Sequence, residues 1–119
     1  PDTLIGVDLI CNRQLVQSDL SESDILKRLD EKPTHLIVTP TGGQGYLLGR
    51  GNQQLSAKVL RCIGRENLHV LATKEKLFHL RGRALLVDTG DAEVDKMLSG
   101  YVRVIVDYQE EQMCRIGTE

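Results

Sequence analysis

The sequence predicts an α/β domain, a three-layer Rossmann-like fold with a mostly parallel sheet flanked by helices. Short apolar runs recur along the 119 residues, as buried strands do. Amphipathic segments with helical spacing separate those runs, several of them opened by a capping residue. No repeat, linker or low-complexity stretch interrupts the alternation, so residues 1–119 are expected to form a single α/β domain.

Leu4–Ile10 is strongly apolar, is bounded by turn formers and is expected to be a buried strand. Gln14–Gln17 is a short extended segment after the Asn12-Arg13 turn. Ser21-Glu22-Ser23-Asp24 has capping-box spacing, in which side chains satisfy the free N–H groups of a first helical turn. Ile25, Leu26 and Leu29 then supply one buried face, and Pro33 stops the helix. Leu36–Val38, preceded by His35, is a second strand. Ser56–Ile63 is a helix with Val59, Leu60 and Ile63 on one side, Cys62 counted with them, and Gly64 as its C-terminal cap. Leu68–Leu71 is a third strand, and Thr73 caps a short helix carrying Leu77, Phe78 and Leu80. Ala84–Val87 is a fourth strand. Asp91 caps a helix with Val94, Met97 and Leu98 that ends at Gly100. Tyr101–Val106 is a last strand, with an alternating continuation after a turn near Gln109–Glu111.

Composition narrows the function. Aromatic residues are 3% of the chain, Tyr46, Phe78, Tyr101 and Tyr108, too few for a base-stacking platform. The formal charge is −2, and the basic stretch Arg61, Arg65, Lys74, Lys76, Arg81 and Arg83 is interrupted by Glu66 and Glu75. A solvated face is expected there rather than a nucleic-acid stripe. Cys11, Cys62 and Cys114 are far apart, without a CxxC pair, which suits a reducing compartment and a cytoplasmic location. No apolar run spans a bilayer and no signal-peptide pattern is present, so no membrane partner is expected. Pro1 in place of Met, leading straight to an apolar strand, is expected of a segment of a longer protein.

The densest chemistry lies at 39–54, Thr-Pro-Thr-Gly-Gly-Gln-Gly-Tyr-Leu-Leu-Gly-Arg-Gly-Asn-Gln-Gln, which holds five of the 11 glycines. It is read as one long connection from the carboxyl end of strand Leu36–Val38 to helix Ser56–Ile63, where open α/β sheets bind ligands. Gly42, Gly43, Gly45, Gly49 and Gly51 let the backbone approach a ligand, and successive N–H groups favour an anion. Thr39 and Thr41 add hydroxyls, Arg50 a planar cation suited to phosphate, and Gln44, Asn52 and Gln53 neutral polar groups. The segment fits neither a Walker motif nor GxGxxG. A structural connection whose glycines serve turns is the plainer alternative.

Asp88-Thr89-Gly90-Asp91 follows the fourth strand and is expected at the same end of the sheet. Asp88 can accept a ribose hydroxyl or hold a metal, and Thr89 can reach a phosphate. The alternative is a plain strand-to-helix turn, the better reading for Asp91. Asp-Thr-Gly after an apolar run also resembles aspartic proteases. There an apolar-Gly-Arg segment follows the motif, whereas Leu47-Leu48-Gly49-Arg50 precedes it here, and a helix follows Asp91. His35, His69 and His79 occur singly, without metal spacing, and read as core-edge histidines. No metal site is expected.

Thr39–Gln54, Val87-Asp88-Thr89-Gly90-Asp91, Gly100–Ile105, Thr3–Asp8 and Ala72–Leu77 together resemble the C-terminal domain of the predicted polyphosphate/ATP-dependent NAD kinase family. The resemblance covers essentially the whole chain. The family's Gly-Gly-Asp-Gly and Gly-Pro-Gly-Thr-Thr segments are absent, Thr41 stands where relatives commonly carry Ile, and Leu47-Leu48 where they often carry bulkier residues. A fainter similarity links Gly6-Val7-Asp8 and Glu22–Asp24 to sugar-phosphate-binding α/β domains, which makes Asp8 a further candidate.

The resemblance implies a nucleotide- and phosphate-binding accessory domain of a kinase that phosphorylates NAD to NADP. ATP or polyphosphate with magnesium would be the donor in the longer protein, where catalysis is expected rather than in this segment alone. The implied partners are a nucleotide, NAD or another phosphorylated small molecule, and the chain's own N-terminal kinase-like domain, with a homo-oligomer left open. The alternative is a non-catalytic sensor of a phosphorylated metabolite or sugar phosphate.

Overall fold

The structure, a computed structural model, describes residues 9–11, 14–17, 20–40, 45–49 and 55–118. Strand β1 (Leu9–Cys11) pairs antiparallel with β2 (Gln14–Gln17) as a separate two-stranded sheet. The expected strand Leu4–Ile10 is therefore described only at its end, Leu9 and Ile10, which pair with β2 and not with the main sheet. Helix α1 (Glu22–Glu31) starts where the capping box placed it. The Asp24 N–H donates to Ser21 Oγ and the Ser21 N–H to the Asp24 carboxylate, each at 3.2 Å.

Six further strands form one sheet: β3 (Leu36–Val38), β4 (Tyr46–Gly49), β5 (Leu68–Leu71), β6 (Leu85–Asp88), β7 (Gly100–Asp107) and β8 (Glu110–Gly117). Their order is β3-β5-β7-β8-β6-β4. Every neighbouring pair is parallel except β7 and β8, which form an antiparallel hairpin turned at Tyr108 and Gln109. The sheet is thus mostly parallel but mixed. It consists of two parallel three-stranded halves that run in opposite directions and meet at the hairpin.

Helices α2 (Ala57–Ile63), α3 (Lys74–His79) and α4 (Ala92–Leu98) complete the main elements. Thr73 and Asp91 cap α3 and α4 as expected, and Ser56, read in the sequence as the first residue of α2, caps it, each worth roughly 1 kcal/mol. Helix α1 packs on α2, α2 on α4, and α4 on β6 and β8. The core they share with the sheet is aliphatic, with Val59, Val70 and Val104 excluded from solvent, and none of the described polar or charged residues is buried. The expected third layer is not seen among the described residues. Side chains on the other face of β5, β7 and β8 alternate with the core positions and are largely exposed.

Two sequence readings change. Cys62 is exposed, because Val59, Leu60 and Ile63 centre the buried stripe of α2 about 100° away from it. Phe78 is likewise exposed while Leu77 and Leu80 enter the core. The basic stretch is tied to local partners. Arg61 pairs with Asp91 and Glu93, Lys74 with Glu110, Arg65 donates to the Tyr101 carbonyl and Arg83 to that of Leu80. Glu110 holds the Lys74 ammonium above its usual pKa.

Strand β4 is the largest departure from the sequence reading. It lies within the segment read as one connection from 39 to 54, and Tyr46, Leu47 and Leu48 are all buried. An irregularity between Tyr46 and Leu48 turns the strand so that neighbouring side chains are all covered. Gly45 and Gly49 have packing roles. The Leu86 N–H donates to the Gly45 carbonyl at 2.9 Å, and a Cβ on Gly45 would meet the Leu80 side chain at 2.6 Å. A Cβ on Gly49, at φ +96°, would lie 1.9 Å from the Asp88 carbonyl oxygen.

The two situations of Gly49 and Gly90 separate steric from conformational cost. Gly90 has φ +84° with nothing within 4 Å of an added Cβ, so Gly90→Ala is expected to cost about 1–2 kcal/mol. Gly49→Ala must also push β4 off β6 and is expected to cost about 4 kcal/mol or to prevent folding. Urea unfolding of both variants measures the difference, and equal costs would remove the close approach at Gly49.

Candidate functional site

Parallel pairing of β4 with β6 puts Gly49 opposite Asp88, so both strands end side by side. Strand β3 runs the other way. Thr39, exposed at its carboxyl end, therefore leaves from the opposite end of the sheet. The long segment is thus divided by β4 into two connections, one before Gly45 and one after Gly49. Of the residues singled out in sequence, Thr39, Gly45, Gly49, Asp88 and Thr89 are described. Asp8, Thr41, Gly42, Gly43, Gln44, Arg50, Gly51, Asn52 and Gln53 lie outside the described residues.

At the carboxyl end of β6, beside the end of the parallel strand β8, a cavity of about 160 Å³ opens between Tyr46, Val87, Asp88, Asp95 and Thr118. Asp88 is exposed and its carboxylate makes no hydrogen bond or ion pair among the described residues. Its place follows from strand alternation: Leu85 and Val87 point into the core, so Asp88 points away from it at the strand's end.

The turn after Asp88 is fixed by a residue the sequence reading did not single out. The Asp95 carboxylate accepts from the Thr89 N–H at 3.0 Å and from the Thr89 hydroxyl at 2.7 Å. The Asp91 N–H donates to Thr89 Oγ1 at 3.3 Å, and Asp91 Oδ1 accepts from Glu93 and Val94 at the start of α4. Asp91 is therefore the helix cap, and Arg61, 2.9 Å away, balances its charge. The Thr89 hydroxyl is committed to Asp95 and sets the angle between β6 and α4. The available signal was an acidic residue one turn into a helix opened by Thr-Gly-Asp, too common a pattern to carry a role.

Chemically, this end of the sheet offers acceptors. Asp88 and Asp95 line the cavity, an arrangement suited to hydroxyl donors such as a ribose diol and unfavourable to a bare phosphate unless a cation comes with it. Among the described residues no group of three or more His, Cys, Asp or Glu is placed to hold a metal ion. His35 and His69, read as solitary, are hydrogen-bonded through Nδ1 and Nε2 at 2.9 Å across the β3–β5 edge. Their separation of 34 residues hid that contact from any spacing rule. His79 lies 3.7 Å from Glu75 on exposed α3. Burial raises the Cys114 thiol pKa, which lowers its thiolate content and suits a packing role.

The fold and this turn define an α/β domain with its open site at the ends of two parallel strands. The model of the ATP-NAD kinase C-terminal domain matches residues 1–116, and the chain belongs to that family. Neither the curated proteins nor the solved structures compared with it provide a match. No helix among the described residues is long and apolar enough to cross a membrane.

The roles of Asp88 and Asp95 separate by stability. Asp95→Ala removes the carboxylate oxygen that accepts from both the Thr89 amide and its hydroxyl and is expected to cost about 2 kcal/mol. Asp88→Ala removes an exposed carboxylate that has no partner among the described residues and is expected to stay within about 0.5 kcal/mol of the parent. Denaturant midpoints of the two variants check this, and a large loss at Asp88 would make it a structural residue.

Proposed function

We propose that the chain is the nucleotide-binding accessory domain of an ATP- or polyphosphate-dependent NAD kinase. The observation that carries this reading is the exposed Asp88 carboxylate, unpaired among the described residues and lining a cavity, within a chain of the ATP-NAD kinase C-terminal domain family. Asp88 would accept hydrogen bonds from a ribose diol. The cavity can admit part of a nucleotide but not all of one, since whole-ligand pockets are typically ~300 Å³ or more. The remaining contacts would come from the second connection, with Arg50 neutralising a phosphate and Gly51, Asn52 and Gln53 supplying hydrogen bonds. Thr41, Gly42, Gly43 and Gln44 belong to the first connection and would serve a different part of the ligand. Asp8 stays a lesser candidate.

Magnesium fits this site only as a companion of the phosphates. The described residues supply two cavity carboxylates, and Asp95 already accepts two bonds from Thr89. A magnesium ion would keep mostly phosphate and water ligands, as it commonly does, and would spread charge on the transferring group when bound. The chain's own contribution is to bind and orient. Asp88 would fix the sugar, Thr89 and Asp95 would hold Asp88's turn in place, and Arg50 would hold the phosphate. The phosphoryl-transfer step belongs to the longer protein, acting in a cytoplasmic setting.

Calorimetry of the chain with NAD, ATP, polyphosphate and sugar phosphates tests the reading. Binding of NAD or ATP is expected, and Arg50→Ala is expected to weaken it about ten- to a hundredfold with folding intact. Exclusive binding of a sugar phosphate would favour a metabolite sensor, and equal affinity in Arg50→Ala and parent would remove Arg50 from the site.

A further inference from the structure

Two segments of the proposed nucleotide site start side by side, where Gly49 of β4 is paired with Asp88 of β6. The chain after Gly49 runs into α2, and the chain after Asp88 runs into α4. The two helices are tied to each other by one side chain. Arg61, on the last turn of α2, donates from Nη2 to Asp91 Oδ2 at 2.9 Å and lies 3.6 Å from the Glu93 carboxylate, both at the start of α4. Strand pairing thus fixes where the two segments begin, and Arg61 fixes how the helices they feed sit against one another.

Asp91 is the joint of this link. Its Oδ1 accepts from the Glu93 and Val94 N–H groups, its Oδ2 accepts from Arg61, and its own N–H donates to Thr89 Oγ1 at 3.3 Å. The Thr89 amide and hydroxyl in turn donate to the Asp95 carboxylate. A chain of bonds therefore runs from α2 to the residue that follows Asp88. Charge gives the link a second purpose. Residues 88–95 carry the carboxylates of Asp88, Asp91, Glu93 and Asp95, and among the described residues Arg61 is the one cation paired with any of them. Without it, like charges crowded into one turn would repel each other and any phosphate brought to them.

We infer that Arg61 is a positioning residue of the nucleotide site, holding α2, and with it the segment that carries Arg50, against the turn that presents Asp88. The inference rests on the nucleotide reading given above. Arg61 acts through Asp91 and touches no ligand; it lowers the ordering cost of binding by keeping two ligand-bearing segments in register beforehand. The Arg61 and Asp91 side chains are 56% and 34% exposed, so the link is weak in solvent and its effect on affinity is several-fold.

Calorimetry with NAD and NMR of the labelled chain test it together. Arg61→Ala is expected to shift the amides of Thr89, Asp91 and Glu93 and to raise the NAD dissociation constant about three- to fivefold. Arg61→Lys keeps the charge where a single nitrogen makes the contact, and is expected to return the affinity to within about twofold of the parent. Asp91→Asn keeps a helix cap and loses the ion pair. It is expected to weaken NAD as much as Arg61→Ala does, and the double variant no further, since both changes break one link. A merely structural role would lower the denaturant midpoint and leave the affinity of the folded chain unchanged. Parent-like NAD affinity in Arg61→Ala, unshifted amides at Thr89 and Asp91, or losses that add in the double variant overturn the role of Arg61 and leave the nucleotide reading standing. A parent that binds no NAD overturns the nucleotide reading, and the role of Arg61 with it.

Discussion

Without a Cβ, Gly49 lets the backbone of β4 come against the Asp88 carbonyl, and the placement of the candidate site follows from that approach. Strand β4 is short and lies at the sheet edge, so a few hydrogen bonds and three buried side chains hold it. Any larger residue at 49 would have to move either the strand or the turn that begins at Asp88. The contact brings the carboxyl ends of two parallel strands together, and two successive polypeptide connections leave the sheet from neighbouring points. Open α/β sheets bind ligands at such places because strand ends present free backbone groups and the first residues of a turn.

The turn itself is over-determined. Thr89 is tied to Asp95 by both its amide and its hydroxyl, Asp91 caps α4, and Arg61 of α2 secures Asp91 from a second helix. Among the described residues this network leaves Asp88 as the one carboxylate of the turn without an internal partner. An ordered turn with one free acceptor is pre-organised for a ligand, because the ordering cost has been met by folding.

Much of the fold was legible because local chemistry decides it. Ser21, Thr73 and Asp91 announced their helices through cap chemistry, and Gly64 ended α2 with positive φ. Strand β4 was not legible, since Tyr46-Leu47-Leu48 is a three-residue apolar run set among glycines and its pairing with β6 is made 40 residues away. The reversal of direction at β7–β8 was hidden for the same reason: parallel and antiparallel neighbours share one sequence pattern. The alternation in β7 did show through, with Val102, Val104 and Val106 inward and Tyr101, Arg103 and Ile105 outward. Of the candidate site, Asp88 was singled out from its position after an apolar strand. Asp95 was missed because its role depends on where α4 folds back.

The most direct measurement is an NMR titration of the isotope-labelled chain with NAD, following every backbone amide. A nucleotide site at the ends of β4 and β6 is expected to move the amides of Gly49 and 50–54, of 88–95 and of Thr118, with the remainder of the sheet unchanged. Shifts confined to the outward face of β7 and β8, or none at saturating NAD, would contradict it.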